Sequence, residues 1–173
     1  MARGSARRRR RGLDSTLDFM RVLWAVEHAL ETTSKRMNVR LGVTGPQRLV
    51  LRLVERFPEI SAGDLARVTW LHPSTLTGVL RRLERRGLLE RLTDPRDRRR
   101  VKLRIRPAAR RLIGPVAGTV EVAVTRMRET VPSRHVDHAR QVLTALARAL
   151  DERIAEGADL PGGLAPGRTP DGP

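Results

Sequence analysis

Cysteine and tyrosine are absent from the 173-residue sequence. Without cysteine the chain can form no disulfide, no thiolate-ligated metal site and no cysteine-based redox sensor. Aromatic residues are scarce as well: Phe19, Phe57, Trp24 and Trp70 are the whole set, so any core must be aliphatic. Lysine is almost missing, with Lys35 and Lys102 the only two, and the basic excess is therefore arginine. No apolar run approaches the roughly 20 residues that a membrane-spanning helix needs. The arginines at 7–11 are not followed by the apolar stretch of a secretory signal. The expectation is a cytoplasmic protein with no membrane partner and no cofactor.

What is present suffices for one domain with a real core, since 39% of the residues are hydrophobic. The formal net charge of +16 calls for a polyanionic partner, a nucleic acid or an anionic membrane surface. Arginine forks suit the first, because they bind phosphates and guanine edges bidentately. Residues 1–12 lack periodicity and read as a disordered basic arm. Residues 157–173, nine of them Gly or Pro, read as a disordered tail.

Between these ends the spacing predicts helices. Phe19, Leu23, Val26, Leu30 and Met37 form one apolar stripe on a long first helix within 13–42, closed by Gly42. Thr44, Pro46 and Gln47 make a capping box for a second helix carrying Leu49, Val50, Leu53 and Val54. Ser61 and Asp64 start a short third helix, with Ile60 and Leu65 spaced as a hydrophobic staple. His72-Pro73 opens a fourth helix that stops at Gly87. Residues 88–93 and 101–106 are the strand-like segments; Val101, Leu103 and Ile105 alternate with Lys102, Arg104 and Arg106. Helical spacing returns through Leu112, Val116, Val120 and Met127, with a kink or break expected at Gly114-Pro115. A last helix from about Ser133 carries Val136, Ala139, Leu143, Leu146, Leu150 and Ile154 at the spacing of a helix packed along a partner.

The fourth helix has two chemically different faces. At 100° per residue Leu76, Val79, Leu80 and Leu83 cluster on one side. Ser74, Gly78, Arg81 and Arg85 lie opposite, with Thr77 and Arg82 flanking and only Glu84 as an acid. A short helix, a turn and a second helix with a polar, basic outer face is a helix-turn-helix. Ser74, Thr75 and Thr77 then become base-edge and phosphate donors, and Arg81 and Arg82 phosphate partners. Gly78 faces outward in a helix interior, where it costs about 1 kcal/mol relative to alanine; close approach of a flat or bulky partner is one account of it, neutral drift the other.

A hairpin directly after such a helix makes a winged helix, whose tip reaches the minor groove. The tip here is DPRDRRR, residues 94–100. Asp94 and Asp97 would weaken a merely adhesive patch. They suit a structured turn that aims its arginines through turn hydrogen bonds and ion pairs.

HPSTLTGVLRRLERRGLLERL followed by DPRDRRR resembles the multiple antibiotic resistance regulator (MarR) family of bacterial winged-helix transcription factors. The resemblance in helix order runs from about residue 14 to 156. It implies a mainly α fold with a small β-hairpin wing: a winged helix-turn-helix domain at 43–106, a first dimerisation helix at 13–42 and C-terminal dimerisation helices at 107–156. It further implies a homodimer on double-stranded DNA with a palindromic operator, usually a repressor relieved by a small effector. Residue by residue, Ser74, Thr75 and Thr77 would read the major groove. Arg96 or Arg98 would enter the minor groove, with Arg99 also at the tip and Asp94 and Asp97 as buttresses. The sequence departs from the family after the second wing strand, where Arg106-Pro107-Ala-Ala replaces a Thr cap and Lys-Gly pair, and at Gly114-Pro115.

Effectors in this family lodge between the DNA-binding lobe and the dimer helices. Trp24 and His28, with Arg21 and Trp70, are the candidates for a small aromatic or phenolic effector, a stacking ring beside a cation. His135 and His138, three apart with Asp137 between them, show no clear third ligand, and no metal is expected. His72, Ser74 and Asp64 make a hydrolytic triad on paper only; without a nucleophile elbow or phosphate loop, no catalytic residue and no enzyme is expected. The rival to a sequence-specific regulator is a nonspecific architectural, nucleoid-type DNA-binding protein, which would need neither Ser74 nor Thr75.

Overall fold

The computed structural model describes residues 14–93 and 101–150. The basic arm, the heptapeptide 94–100 with Asp94, Arg96, Asp97, Arg98 and Arg99, the Gly/Pro tail and Ile154 lie outside these residues. The elements are α1 (Ser15–Leu41), α2 (Gly45–Arg56), α3 (Ala62–Thr69), α4 (Pro73–Arg85), β1 (Leu89–Thr93), β2 (Val101–Ile105), a 3-10 turn (Pro107–Leu112), α5 (Val120–Thr130) and α6 (Ser133–Leu150).

Local chemistry accounts for the boundaries. Gly42 stops α1 in the left-handed region at φ 71°, and its N–H donates to the Asn38 carbonyl. The α2 capping box is complete: the Gln47 N–H donates to Thr44 Oγ1, and the Thr44 N–H to Gln47 Oε1. Ser61 caps α3 by accepting from the Asp64 N–H at 3.0 Å. Ile60 and Leu65, either side of that cap, are both buried.

The core lies where α2, α3, α4 and the hairpin meet, with Leu51, Leu65, Leu80, Leu83 and Leu103 essentially inaccessible. β1 and β2 pair antiparallel, Leu89 opposite Ile105 and Thr93 opposite Val101. The turn before α3 adds a short third edge: Ser61 bridges Lys102, and the Leu103 N–H donates to the Ile60 carbonyl at 3.0 Å. The wing's second strand is thereby seated on the helix-turn-helix.

Three details sharpen the sequence reading. On α2 the inward residue is Leu51, whereas Leu49 is 44% exposed; Gln47, Arg48, Leu51 and Val54 set the buried line at three-four spacing. The break expected at Gly114-Pro115 is present, but the segment before it is a 3-10 turn rather than an α-helix. Pro107 starts a 3-10 turn that ends before Gly114-Pro115, and α5 begins only at Val120. Pro115 has no N–H for a helical bond and disfavours helical geometry at Gly114. Lastly, the first-helix stripe is not buried within one chain: Met37 is, but Phe19, Val26 and Leu30 are about half-exposed. Val124, Met127, Val142 and Leu143 on α5 and α6 are exposed likewise, and neither helix contains a buried residue.

One buried charge joins the DNA-binding lobe to α5. Arg48 has no exposed side-chain surface. Its Nε donates to Glu121 Oε1 of α5 at 2.8 Å, and its Nη2 to the Gly114 carbonyl at 2.6 Å and the Ile113 carbonyl at 3.4 Å.

Candidate nucleic-acid interface

Helix α4 presents the face that its sequence predicts. Leu76, Val79, Leu80 and Leu83 are buried, while Ser74, Thr75, Thr77, Arg81 and Arg82 are exposed. Nothing stands within 4 Å of the position a Cβ would take on Gly78, so packing makes no demand for glycine there. Glu84, the one acid of the helix, is held by Arg91 of β1. The helix starts on His72, whose Nδ1 accepts from the Ser74 N–H at 3.2 Å and lies 2.6 Å from Ser74 Oγ. The turn into it depends on Trp70, which ends α3 in the left-handed region at φ 52°.

The arginines at the far end of α4 do not all face the same way. Arg82, Arg85 and Arg86 line a hollow of about 480 Å³ with Asn38 and Gly42 of the α1 end and Thr44 and Gln47 of the α2 start. Arg82, expected beside phosphate, thus stands between the recognition helix and α1. Arg86 lies over Gly42, where an added Cβ would meet its guanidinium.

The basic outer face of β2 is mostly paired. Glu59, in the left-handed region at φ 63°, accepts from Lys102 at 3.2 Å and Arg104 at 3.3 Å. The Lys102 hydrogen bond and charge, then the Arg104 bond, hold the Glu59 carboxyl below the usual glutamate range. Glu90 stands 3.9 Å from Arg104 and 3.7 Å from Arg106. These acids fix the root of the wing.

Of the effector candidates, Arg21, Trp24 and His28 lie on α1, and Trp70 ends α3. Arg21 is paired with Asp18 at 2.8 Å, and Trp24 is 57% and Trp70 40% exposed. His28 is exposed on α1. A different hollow, of about 520 Å³, lies between α1 and the start of α5, lined by Lys35, Arg36, Val39, Arg40, Thr119 and Ala123 among others. Sequence spacing does not single out its cations, because only the tertiary fold sets α1 beside Thr119. Asp64 of the paper triad is engaged by Ser61 and Arg67 at the start of α3. His135 receives Arg134, and Asp137 faces Arg140 at 3.9 Å. Among the described residues no helix is long and apolar enough to cross a membrane.

This geometry agrees with comparisons to known proteins. The MarR family model matches residues 43–101, the lobe from the α2 start into β2. The transcriptional regulator FarR of Neisseria gonorrhoeae is 27% identical over 123 residues, 71% of this chain and 84% of its own. CouR of Rhodococcus jostii RHA1, solved bound to p-coumaroyl-CoA, superposes with a TM-score of 0.64 at 27% identity, covering 79% of this chain and 96% of CouR. The DNA complex of MepR from S. aureus shares the fold with a TM-score of 0.63 at 16% identity, over 77% of this chain and 98% of MepR. With the winged helix-turn-helix in place, residues 43–101 match the MarR family model, the chain is similar to transcriptional regulators along most of its length, and the function these findings support is that of a sequence-specific DNA-binding transcriptional regulator.

Proposed function

We propose that the protein is a homodimeric repressor that binds a palindromic operator in the bacterial cytoplasm and leaves it when a small organic anion binds. The observation that carries the DNA contact is the outer face of α4: three exposed hydroxyls, an open Gly78, exposed Arg81, and an only acid already held by Arg91. Ser74, Thr75 and Thr77 meet the major groove, Arg81 and Arg82 the flanking phosphates. One of Arg96, Arg98 and Arg99, buttressed by Asp94 and Asp97, enters the minor groove. The half-exposed apolar residues of α1, α5 and α6 support the dimer, since a helix with an apolar face buries it against a partner. In that dimer 13–42 and 107–156 associate, and 43–106 is the DNA-binding domain.

For the effector, CouR supplies a precedent in an aromatic acyl thioester. The α1–α5 hollow offers Lys35, Arg36 and Arg40 above Val39 and Ala123, which suits an aromatic or phenolic acid. Arg21, Trp24, His28 and Trp70 remain the alternative set.

The test is selection of binding sites from random duplex DNA, followed by footprinting with excess competitor. The expected result is one palindrome with half-sites about one helical turn apart, bound by a dimer. Arg96→Ala should weaken binding by roughly 1–3 kcal/mol. Uniform coating of DNA with no preferred sequence would overturn the proposal. Aromatic carboxylic acids should release the operator from wild type, and less readily from Arg36→Ala.

A further inference from the structure

Ser74 stands in the first turn of α4, where the proposed reading of this helix puts a contact with a base edge. Two of its atoms converge on one nitrogen: its N–H at 3.2 Å and its Oγ at 2.6 Å from His72 Nδ1. A main-chain N–H can only donate. To accept it Nδ1 carries its lone pair, which the N–H and the hydroxyl then share, with the imidazole proton on Nε2. A nitrogen in that state cannot donate to Ser74 Oγ, so the short contact uses the hydroxyl's own proton. A serine hydroxyl has one proton and two lone pairs. With the proton turned toward His72, only lone pairs face outward.

We infer that His72 fixes Ser74 as a hydrogen-bond acceptor, and so makes the recognition helix select a base bearing an exocyclic amino group at that position. In the major groove those groups are adenine N6 and cytosine N4; guanine and thymine present acceptors at the corresponding edge. A phosphate oxygen also only accepts, so Ser74 does not serve as a phosphate donor while it is held in this way. Among the described residues no side-chain hydrogen bond engages Thr75 or Thr77, and their hydroxyls keep their protons for the backbone. His72 is a positioning residue: it acts on the DNA through Ser74.

The inference rests on α4 lying in the groove, and the experiment separates the two. Sites are selected from random duplexes by the full-length wild type, His72→Ser, His72→Asn, Ser74→Ala and His72→Ser/Ser74→Ala. Serine is a strong N-cap and keeps the helix start, but its short side chain does not hold the Ser74 hydroxyl. Asparagine caps equally well and places an acceptor oxygen where Nδ1 was. Wild type should favour adenine or cytosine over guanine and thymine at one position per half-site by about fivefold to tenfold, the size of one neutral hydrogen bond. That preference alone should vanish in Ser74→Ala and in His72→Ser, with no further loss in the double variant, and should return in His72→Asn. A selected operator whose base preferences are unchanged in His72→Ser overturns the inference alone, as does a guanine or thymine preference lost with Ser74. Failure of wild type to select any sequence overturns the DNA reading and this inference with it.

Discussion

Replacing Arg48 with methionine tests whether the buried ion pair carries the junction between the DNA-binding lobe and the C-terminal helices. The guanidinium is wholly buried, while the Glu121 side chain keeps 25% of its surface. Methionine occupies a similar, elongated volume, so the cavity term is small and the loss is mainly polar. The 3.4 Å bond to Ile113 is long and counts for little. Loss of the 2.6 Å bond to the Gly114 carbonyl, if that group stayed dry, would cost about 1–3 kcal/mol. Removing one partner of a buried ion pair costs about 3–5 kcal/mol. Gly114 is exposed, so water recovers most of that bond, while Glu121 Oε2 is buried; the net is about 3 kcal/mol. For a chain of this size that is a fall of roughly 6–12 °C in Tm.

The assay is urea unfolding followed by circular dichroism at fixed protein concentration, because association would make the midpoint depend on concentration. Glu121→Leu should cost at least as much, since it strands the more deeply buried partner. The double variant Arg48→Met/Glu121→Leu should return to within about 1 kcal/mol of wild type, because apolar replacement of both partners is often neutral. The implied coupling is about 5 kcal/mol. Single variants as stable as wild type, or a double variant as weak as the sum of the singles, would refute the reasoning.

Gly78→Ala should raise helix stability by about 1 kcal/mol, there being open space for the methyl, while lowering operator affinity at least tenfold; undiminished affinity would place position 78 away from DNA. The Glu59 carboxyl is held below its ordinary range, so its contribution is full above about pH 4.5 and is lost as pH falls through the lowered value. The stability difference between wild type and Glu59→Gln should therefore be flat from pH 5 to 8 and close only in stronger acid. Leu143→Glu, on the exposed apolar face of α6, should give a monomer by light scattering and abolish operator binding; a dimer of unchanged affinity would move the interface elsewhere. Thr44→Ala removes the α2 cap and should cost about 1 kcal/mol in thermal unfolding, with no change in base preference.

What the sequence makes legible is what neighbouring residues decide. Gly42, the Thr44 box, the Ser61 cap and the β2 alternation each act within a few positions, and each stands where the residues imply. The choice of Leu51 over Leu49 turns on which α2 face meets the sheet, which the continuous apolar run 49–51 leaves ambiguous. Helical spacing from 107 to 130 is real, but two prolines and Gly118 override it locally. Arg48 finds Glu121 73 residues away, and Glu59 finds Lys102 43 residues away, so neither pair leaves a local trace. His72 differs, since its partner is two residues on. A side-chain acceptor directly before Pro73, at the start of an apolar helical run, is a readable cap signal.

The placement of arginine argues more for specific recognition than its abundance does. Arg91, Arg104 and Arg106 are tied to glutamates at the root of the wing, and Arg48 is sealed under α2. Arg85 and Arg86 gather against the end of α1. A protein that used net charge alone would leave such groups free, because every neutralised or buried guanidinium is lost to counterion release. Here the glutamates hold the wing strand, and Glu84 is kept off the outer face of α4 by Arg91, so that Ser74, Thr75, Thr77 and Arg81 stand together without an unpaired acid. Spending arginines on the scaffold makes sense when the contact depends on where a few donors and acceptors point.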